Sequence, residues 1–161
     1  MGDRDEITAL VHRYAELLDG GDLEAVVALF AHATWRSDAT GTVLRTPEEI
    51  RAVYERIILY DGTPKTRHLM NNLTVDLVDG ADEAIGRCYY TVLQGGDAGE
   101  PIRVILSGRY HDRYRRGPDG WEFADRLFIV DLVGDQSRHF PTSGGPESGG
   151  PESGGPVTGE S

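Results

Sequence analysis

The 161-residue sequence is poor in cysteine and lysine and has no long apolar run. Cys88 is its only cysteine and Lys65 its only lysine. A single cysteine excludes an internal disulfide framework and a zinc site built on several cysteines. Residues 1–6 are charged and lack the apolar core of a signal peptide, and the longest apolar run, residues 25–31, is too short to cross a bilayer. The sequence therefore predicts a cytoplasmic location.

Positive charge is also scarce. The chain has 27 Asp and Glu residues against 16 Lys and Arg residues, which gives a formal net charge of −11 at pH 7. Nucleic acids and anionic membranes both attract basic protein surfaces. We therefore predict that the chain binds neither nucleic acid nor membrane, and that its partner is a small molecule.

Several catalytic motifs are missing as well. The sequence contains no His-Glu-x-x-His pair, no phosphate-binding Gly-Lys loop, no Gly-x-Ser-x-Gly elbow and no dinucleotide glycine fingerprint. The five histidines show no metal-ligand spacing, and the last of them, His139, stands at the edge of the C-terminal tail. We predict no metal and no cofactor. An enzyme with this sequence would depend on acid–base side chains.

The order of apolar patterns predicts an α+β domain. Apolar residues recur at helical spacing in three segments, residues 5–18, 23–30 and 47–58. Four strand-like runs separated by turn signals follow, at residues 66–76, 84–93, 102–115 and 121–133. Helices that precede strands joined by short turns are typical of a domain whose helices pack on one face of an antiparallel sheet.

The composition changes near residue 141. The segment Ser143-Gly-Gly-Pro-Glu147 repeats at residues 148–152 and begins again at residue 153. Such a repeat has too little apolar surface to offset the entropy lost on ordering. We predict one folded domain over residues 1–140 and a disordered tail over residues 141–161.

The strand predicted at residues 66–76 carries the first candidate catalytic residue. Strand side chains alternate, so His68, Met70, Asn72 and Thr74 are expected on one face. A histidine and an asparagine satisfied by backbone groups in the core would give the same pattern. Asp19 adds a second signal, because a carboxylate at the C-terminus of a helix faces the negative end of the helix dipole.

The order of these motifs resembles the SnoaL-like group of the nuclear-transport-factor-2-like superfamily. The motifs that carry the likeness lie within residues 14–30, 46–50, 67–72, 108–113 and 120–126, and the likeness covers about residues 5–134. It implies a cone-shaped single domain with three N-terminal helices packed on a curved, mostly antiparallel sheet. Similar members include scytalone dehydratase, bile-acid 7α-dehydratase, polyketide cyclases and limonene epoxide hydrolase, so the fold is implied more narrowly than the reaction.

The resemblance also implies roles for individual residues. By position in the motifs, His68 is the general base or acid, Asp19 orients it or holds a water, and Tyr14 polarises the substrate. The alternative is that these residues have only structural roles. Tyr14 would then be a core residue, Asp19 a turn residue, and Arg126 the ion-pair partner of a strand carboxylate. Four further side chains are predicted to contact the substrate: Asn72, Arg126, Met70 and Tyr54.

These residue types suit a reaction that passes through an enolate. Histidine imidazoles can exchange protons near neutral pH, and a tyrosine hydroxyl can donate to a developing enolate oxygen. We therefore predict a cofactor-independent dehydratase, isomerase or cyclase of a small hydrophobic polyketide-, terpenoid- or steroid-like compound in secondary metabolism. The fold also implies a homodimer. The alternatives are a non-catalytic binding domain or oxygenase small subunit, and an epoxide hydrolase, which needs an arginine between two carboxylates.

Overall fold

The computed structural model describes residues 2–141 and places three helices on one face of a six-stranded sheet. The predicted fold class is confirmed. The predicted C-terminal tail lies outside the described residues, apart from Pro141. No helix in this part of the chain is long and apolar enough to span a membrane.

The helices are α1 (Asp3–Gly20), α2 (Leu23–Leu29) and α3 (Pro47–Tyr54). At the start of α3, the Thr46 hydroxyl accepts a hydrogen bond from the Glu49 amide, and the Glu49 carboxylate accepts one from the Thr46 amide. Gly21 ends α1 in the left-handed region at a φ of 79°, where a Cβ would lie 2.0 Å from the carbonyl oxygen of Gly62. This close approach fixes the end of α1, and with it the position of Asp19.

The strands are β1 (Thr34–Ser37), β2 (Val43–Leu44), β3 (Thr66–Asp76), β4 (Glu83–Gln94), β5 (Arg103–Gly117) and β6 (Gly120–Val133). Strands β3 to β6 form an antiparallel meander, and β1 pairs in parallel with β6. The sheet order is β2-β1-β6-β5-β4-β3. The sequence predicted only the four long strands, because β1 and β2 are short and only Trp35 among their residues is buried.

An irregularity at Asn72 reverses the alternation of β3. The pairing of β3 with β4 shifts register there, and Asn72 adopts a φ of 53°. Before this bulge His68 and Met70 face the helices, whereas after it Leu73 and Val75 pack against the core. The prediction of one face for the whole strand is therefore wrong beyond Met70.

The core contains a fully buried ion pair between the two central strands. Arg126 of β6 donates through Nε and Nη2 to the carboxylate oxygens of Asp112 on β5, at 2.8 and 2.7 Å. The Tyr114 hydroxyl donates to the same carboxylate at 2.9 Å. Burial alone would lower the pKa of Arg126, but the charge and hydrogen bonds of Asp112 raise that pKa well above its ordinary value. Arg126 therefore stays charged inside the core.

The sheet face opposite the helices is partly apolar. Leu69, Ile85 and Tyr89 are each 40% or more exposed there. Such a surface is available for association with a second copy of the chain. The homodimer implied by the fold stays a prediction.

Candidate active site

A cavity of about 410 Å³ lies between the helices and the inner face of the sheet. Its walls are mostly aromatic and aliphatic, and the rings that line it include Trp35, Tyr90, Tyr110 and Phe128. No carboxylate within residues 2–141 lines this cavity. Apolar walls with a few convergent polar groups are characteristic of small-molecule sites.

His68 and Asp19 form a nearly buried pair at the cavity wall. The Nδ1 atom of His68 lies 2.6 Å from Oδ1 of Asp19, and the two side chains are 5% and 6% exposed. The carboxylate also accepts hydrogen bonds from the His68 amide at 2.8 Å and from the Thr66 hydroxyl at 2.9 Å. The pair forms because the end of α1 lies against the start of β3.

The charge state of Asp19 sets the tautomer of His68. Burial alone would raise the pKa of Asp19, but the hydrogen bonds and charge of His68 and the Thr66 hydroxyl lower it below its ordinary value. Asp19 is therefore an ionised acceptor, and Nδ1 of His68 donates to it. Nε2 is left as the nitrogen that can exchange a proton with a molecule in the cavity, because His68 itself lines that cavity.

Tyr14 lies at the end of a directional chain of hydrogen bonds. The Trp35 indole donates to the Tyr54 hydroxyl at 3.3 Å, and Tyr54 donates to the Tyr14 hydroxyl at 3.3 Å. Burial raises the pKa values of Tyr14 and Tyr54 well above their ordinary value, so both hydroxyls stay protonated. The ring of Tyr14 meets that of His68 edge to face, with centroids 6.4 Å apart. The ring that carries this hydroxyl thus lies beside the imidazole.

The structure brings together most of the predicted site residues. His68, Tyr14 and Tyr54 line the cavity, and Asp19 holds His68 from the side of α1. Met70 is half-buried, and it lines an outer groove that also contains His68 and Asp19, not the cavity itself. Side chains that lie far apart in the sequence therefore come together at the cavity wall.

The structure places two of the predicted substrate contacts, Asn72 and Arg126, away from the cavity lining. Asn72 is exposed, because the bulge turns it away from the face that carries His68. Arg126 does not line the cavity, because its guanidinium is bound to Asp112 and packs against the rings of Tyr14 and Tyr110, at 4.5 and 4.1 Å from their centroids. The structure thus favours the alternative in which Arg126 is paired with a strand carboxylate.

Sequence reasoning missed His139, which it placed at the edge of the tail and gave no role. His139 is 6% exposed and lines the cavity, in a turn that follows β6. The turn is held because the Ile58 amide donates to the His139 carbonyl at 2.9 Å and the Tyr60 hydroxyl donates to the Arg138 carbonyl at 2.7 Å. The only local signal was Phe140, an aromatic residue next to the polar repeat.

We expect His139 to make the folded state sensitive to mild acid. Burial, and to a smaller extent the charge of His68, lower the pKa of His139 from 6.5 to about 4, while Asp19 opposes the shift. The unfolded chain therefore binds this proton below about pH 6.5, and the folded chain binds it only below about pH 4. The free energy of unfolding is highest above this window and declines as the pH falls through it, by up to about 3 kcal/mol.

Urea denaturation of the wild type and of His139→Phe at pH 7 and pH 4.5 measures this effect. The difference between the two pH values should be smaller in the variant by about 2 to 3 kcal/mol. An equal decline in both proteins would contradict the assignment. Asp19 does not confound the comparison, because its lowered pKa places its contribution below the acid end of the window.

The arrangement also bears on the other predicted chemistries. Within residues 2–141, no group of three or more His, Cys, Asp or Glu side chains is placed to hold a metal ion. The buried Arg126 contacts one carboxylate, that of Asp112, and does not line the cavity. An epoxide hydrolase of the type considered above requires an arginine between two carboxylates in the pocket, so this geometry disfavours that alternative.

Comparisons with known proteins agree with the fold. Residues 1–127 match the family model of the SnoaL-like domain. The chain is similar to the solved structure of Aln2 from a Streptomyces species, with 25% identity over 80% of this chain and 90% of that chain and a TM-score of 0.65. It is also similar to ActVI-ORFA from Streptomyces coelicolor, with 22% identity, coverage of 83% and 100%, and a TM-score of 0.68.

A third similar structure is a candidate scytalone dehydratase from Novosphingobium aromaticivorans. Its identity to this chain is 20%, the match covers 82% of this chain and 86% of that chain, and the TM-score is 0.66. The search of curated proteins found no match at the significance required. Identities in this range establish the fold but not the reaction, which has to be inferred from the geometry of the cavity.

Proposed function

The chain belongs to the SnoaL-like domain family, and from that premise we propose that it is a cofactor-independent acid–base enzyme. Its substrate is a small hydrophobic polyketide-, terpenoid- or steroid-like carbonyl compound. The reaction that we consider first is the elimination of water from a β-hydroxy ketone. Isomerisation and cyclisation are close relatives, because they begin with the same loss of a proton next to a carbonyl group.

The observation that carries this proposal is the Asp19–His68 hydrogen bond of 2.6 Å at the wall of an apolar cavity. A pure binding pocket does not need an ionised carboxylate to orient an imidazole. In acid–base catalysis this pairing fixes the tautomer and stabilises the imidazolium that forms when the ring takes up a proton. The pair therefore gives the cavity a group that can both accept and return a proton.

Tyr14 supplies the second element of the chemistry. Its hydroxyl accepts from Tyr54 and stays protonated. We propose that it donates its own proton to the carbonyl oxygen of the substrate. As the proton next to the carbonyl leaves, negative charge grows on that oxygen, and a fixed donor in an apolar site stabilises it strongly. His68 lies beside Tyr14, where it can serve the carbon or hydroxyl positions near the carbonyl group.

The candidate scytalone dehydratase shares this fold, which is therefore compatible with a dehydration. This likeness concerns the fold, so the geometry of the cavity remains the main support for the proposal. The non-catalytic alternative, a binding domain or an oxygenase small subunit, predicts that a ligand enters the same cavity and leaves unchanged.

A small β-hydroxy ketone separates these two functions. In 3-hydroxy-1-tetralone, loss of the C2 proton and of the C3 hydroxyl gives a dienone that tautomerises to 1-naphthol. We expect the purified full chain to form 1-naphthol at neutral pH faster than an equal concentration of free imidazole, as followed by naphthol fluorescence. Binding of 1-naphthol without any acceleration would favour the binding domain.

A further inference from the structure

We propose that His139 is a second catalytic residue, the base that removes the proton next to the substrate carbonyl, while His68 protonates the departing hydroxyl. This inference rests on the proposed function and divides its proton transfers between two histidines. It concerns a residue that the family match does not reach, because that match ends at residue 127.

The first support is the position of His139. Its side chain lines the same cavity as Tyr14 and His68, although it comes from the turn after β6. The turn is firmly fixed, because the Gln94 side-chain amide donates to the Arg138 carbonyl at 3.1 Å in addition to the contacts described above. Phe140 meets the His139 ring edge to face at a centroid distance of 4.5 Å. The imidazole is thus held in place at the cavity.

The second support is the unused hydrogen-bonding capacity of the ring. Among the residues described, Nδ1 of His139 is buried and has no hydrogen-bond partner. An unpaired buried polar atom destabilises the folded state. A phenylalanine would fill the same space without that cost. The imidazole is therefore better explained by a need for its nitrogens than by packing.

The third support is the difference between the two histidines. His68 has an ionised carboxylate bound to Nδ1, which stabilises the ring when both its nitrogens hold protons. His139 has no such partner, and burial lowers its pKa to about 4, so it is neutral and able to accept a proton at neutral pH. The two imidazoles therefore differ in their partners, because a carboxylate binds Nδ1 of His68 whereas Nδ1 of His139 has no hydrogen-bond partner among the residues described.

Charged groups near His139 come from several elements. His68 of β3 and Asp19 of α1 act on its charge directly. In its own turn Arg138 pairs with Glu100, and Arg56 lies over the Phe140 ring at 5.9 Å. Asp19 is the negative group that opposes the shift of the His139 pKa, and its hydrogen bonds go to His68 and Thr66. This leaves His139 free to exchange a proton with the cavity.

The proposed step balances. His139 takes the proton from C2 of the hydroxy ketone, and the electron pair of that C–H bond forms the C2–C3 double bond. The C3–O bond breaks, and the doubly protonated His68 gives its Nε2 proton to the leaving oxygen, which departs as water. His139 then returns its proton, through water, to His68. No oxidant or reductant is required.

The test uses His139→Gln, which keeps polar atoms at the site but cannot take up the proton, and His32→Asn as a control at an exposed histidine away from the cavity. We expect kcat/KM for 3-hydroxy-1-tetralone to fall by about 10²-fold or more in His139→Gln and to stay unchanged in His32→Asn. The wild-type profile should lose activity near pH 4, and the residual activity of His139→Gln should lack that limb. Binding of 1-naphthol should be equal in all three proteins.

A second measurement isolates the proton abstraction from the loss of water. Exchange of the C2 hydrogens of 1-tetralone with deuterium from solvent, followed by NMR, requires only the base. Exchange that is lost in His139→Gln supports the inference even if the wild type fails to dehydrate the hydroxy ketone, in which case the proposed dehydration alone is wrong. Dehydration and exchange that persist in His139→Gln overturn the inference and leave the proposed function intact. If the wild type shows neither reaction, both fail.

Discussion

Replacing His68 by asparagine should lower kcat/KM for 3-hydroxy-1-tetralone by about 10²–10⁴-fold, the range expected for loss of an acid–base side chain. The change removes the only cavity-lining group within residues 2–141 whose side chain is hydrogen-bonded to a carboxylate. Asp19 keeps two of its partners, the backbone amide of residue 68 and the Thr66 hydroxyl, so the end of α1 should stay in place. The folded structure is expected to persist while turnover is lost.

The matched variant is Asp19→Asn, which preserves the shape of the pair but removes its charge. It should reduce kcat more than it weakens binding of 1-naphthol, because the carboxylate acts on the substrate only through His68. Circular dichroism and thermal melting of both variants verify the fold. Wild-type turnover in a folded His68→Asn protein would remove the residue on which the proposed function is built.

The buried ion pair should produce the largest effect on stability. Arg126→Met leaves the Asp112 carboxylate fully buried, and the Tyr114 hydroxyl is then its only side-chain donor among the described residues. Removal of one partner of a buried pair typically costs about 3–5 kcal/mol. We expect that loss in the free energy of unfolding, measured by urea denaturation at neutral pH.

The double variant Arg126→Met with Asp112→Leu separates two explanations of that loss. If the cost comes from an uncompensated charge, the double variant should recover much of the stability, because apolar replacements of buried pairs are often neutral. If the double variant is no more stable than Arg126→Met, the loss comes instead from the packing of the guanidinium against Tyr14 and Tyr110, which both variants lack. A loss below about 1 kcal/mol in the single variant would contradict the structural role.

The sequence predicted those features that depend on short-range pattern. Helix α3 begins at the predicted Thr46 cap, and the four long strands lie within a few residues of their predicted limits. The sequence also contained a signal for the pairing of Asp19 with His68, because a carboxylate at the C-terminus of a helix is electrostatically unfavourable. Its hydrogen bonds to β3 explain why that position holds an aspartate.

The features that were missed depend on contacts between distant segments. The bulge at Asn72 depends on the register between β3 and β4, and its local signal is weak, namely an asparagine, which tolerates a positive φ. His139 reaches the cavity because a turn after β6 is hydrogen-bonded to Ile58 and Tyr60. The complete burial of Arg126 likewise depends on its pairing with Asp112, a carboxylate on the neighbouring strand. Periodicity along the chain cannot supply such information.

The bulge in β3 also divides the strand into a segment that borders the cavity and a segment that only packs in the core. Residues before Asn72 include His68, which borders the cavity, whereas Leu73 and Val75 beyond it only pack against the core. Because the extra residue absorbs small shifts in register, changes on one side need not be transmitted to the other. Relatives that act on different compounds should therefore retain His68 and the apolar residues of the second half of this strand, and vary at the other positions of the first half. A single strand thus contains one segment open to adaptation and one under constraint for folding.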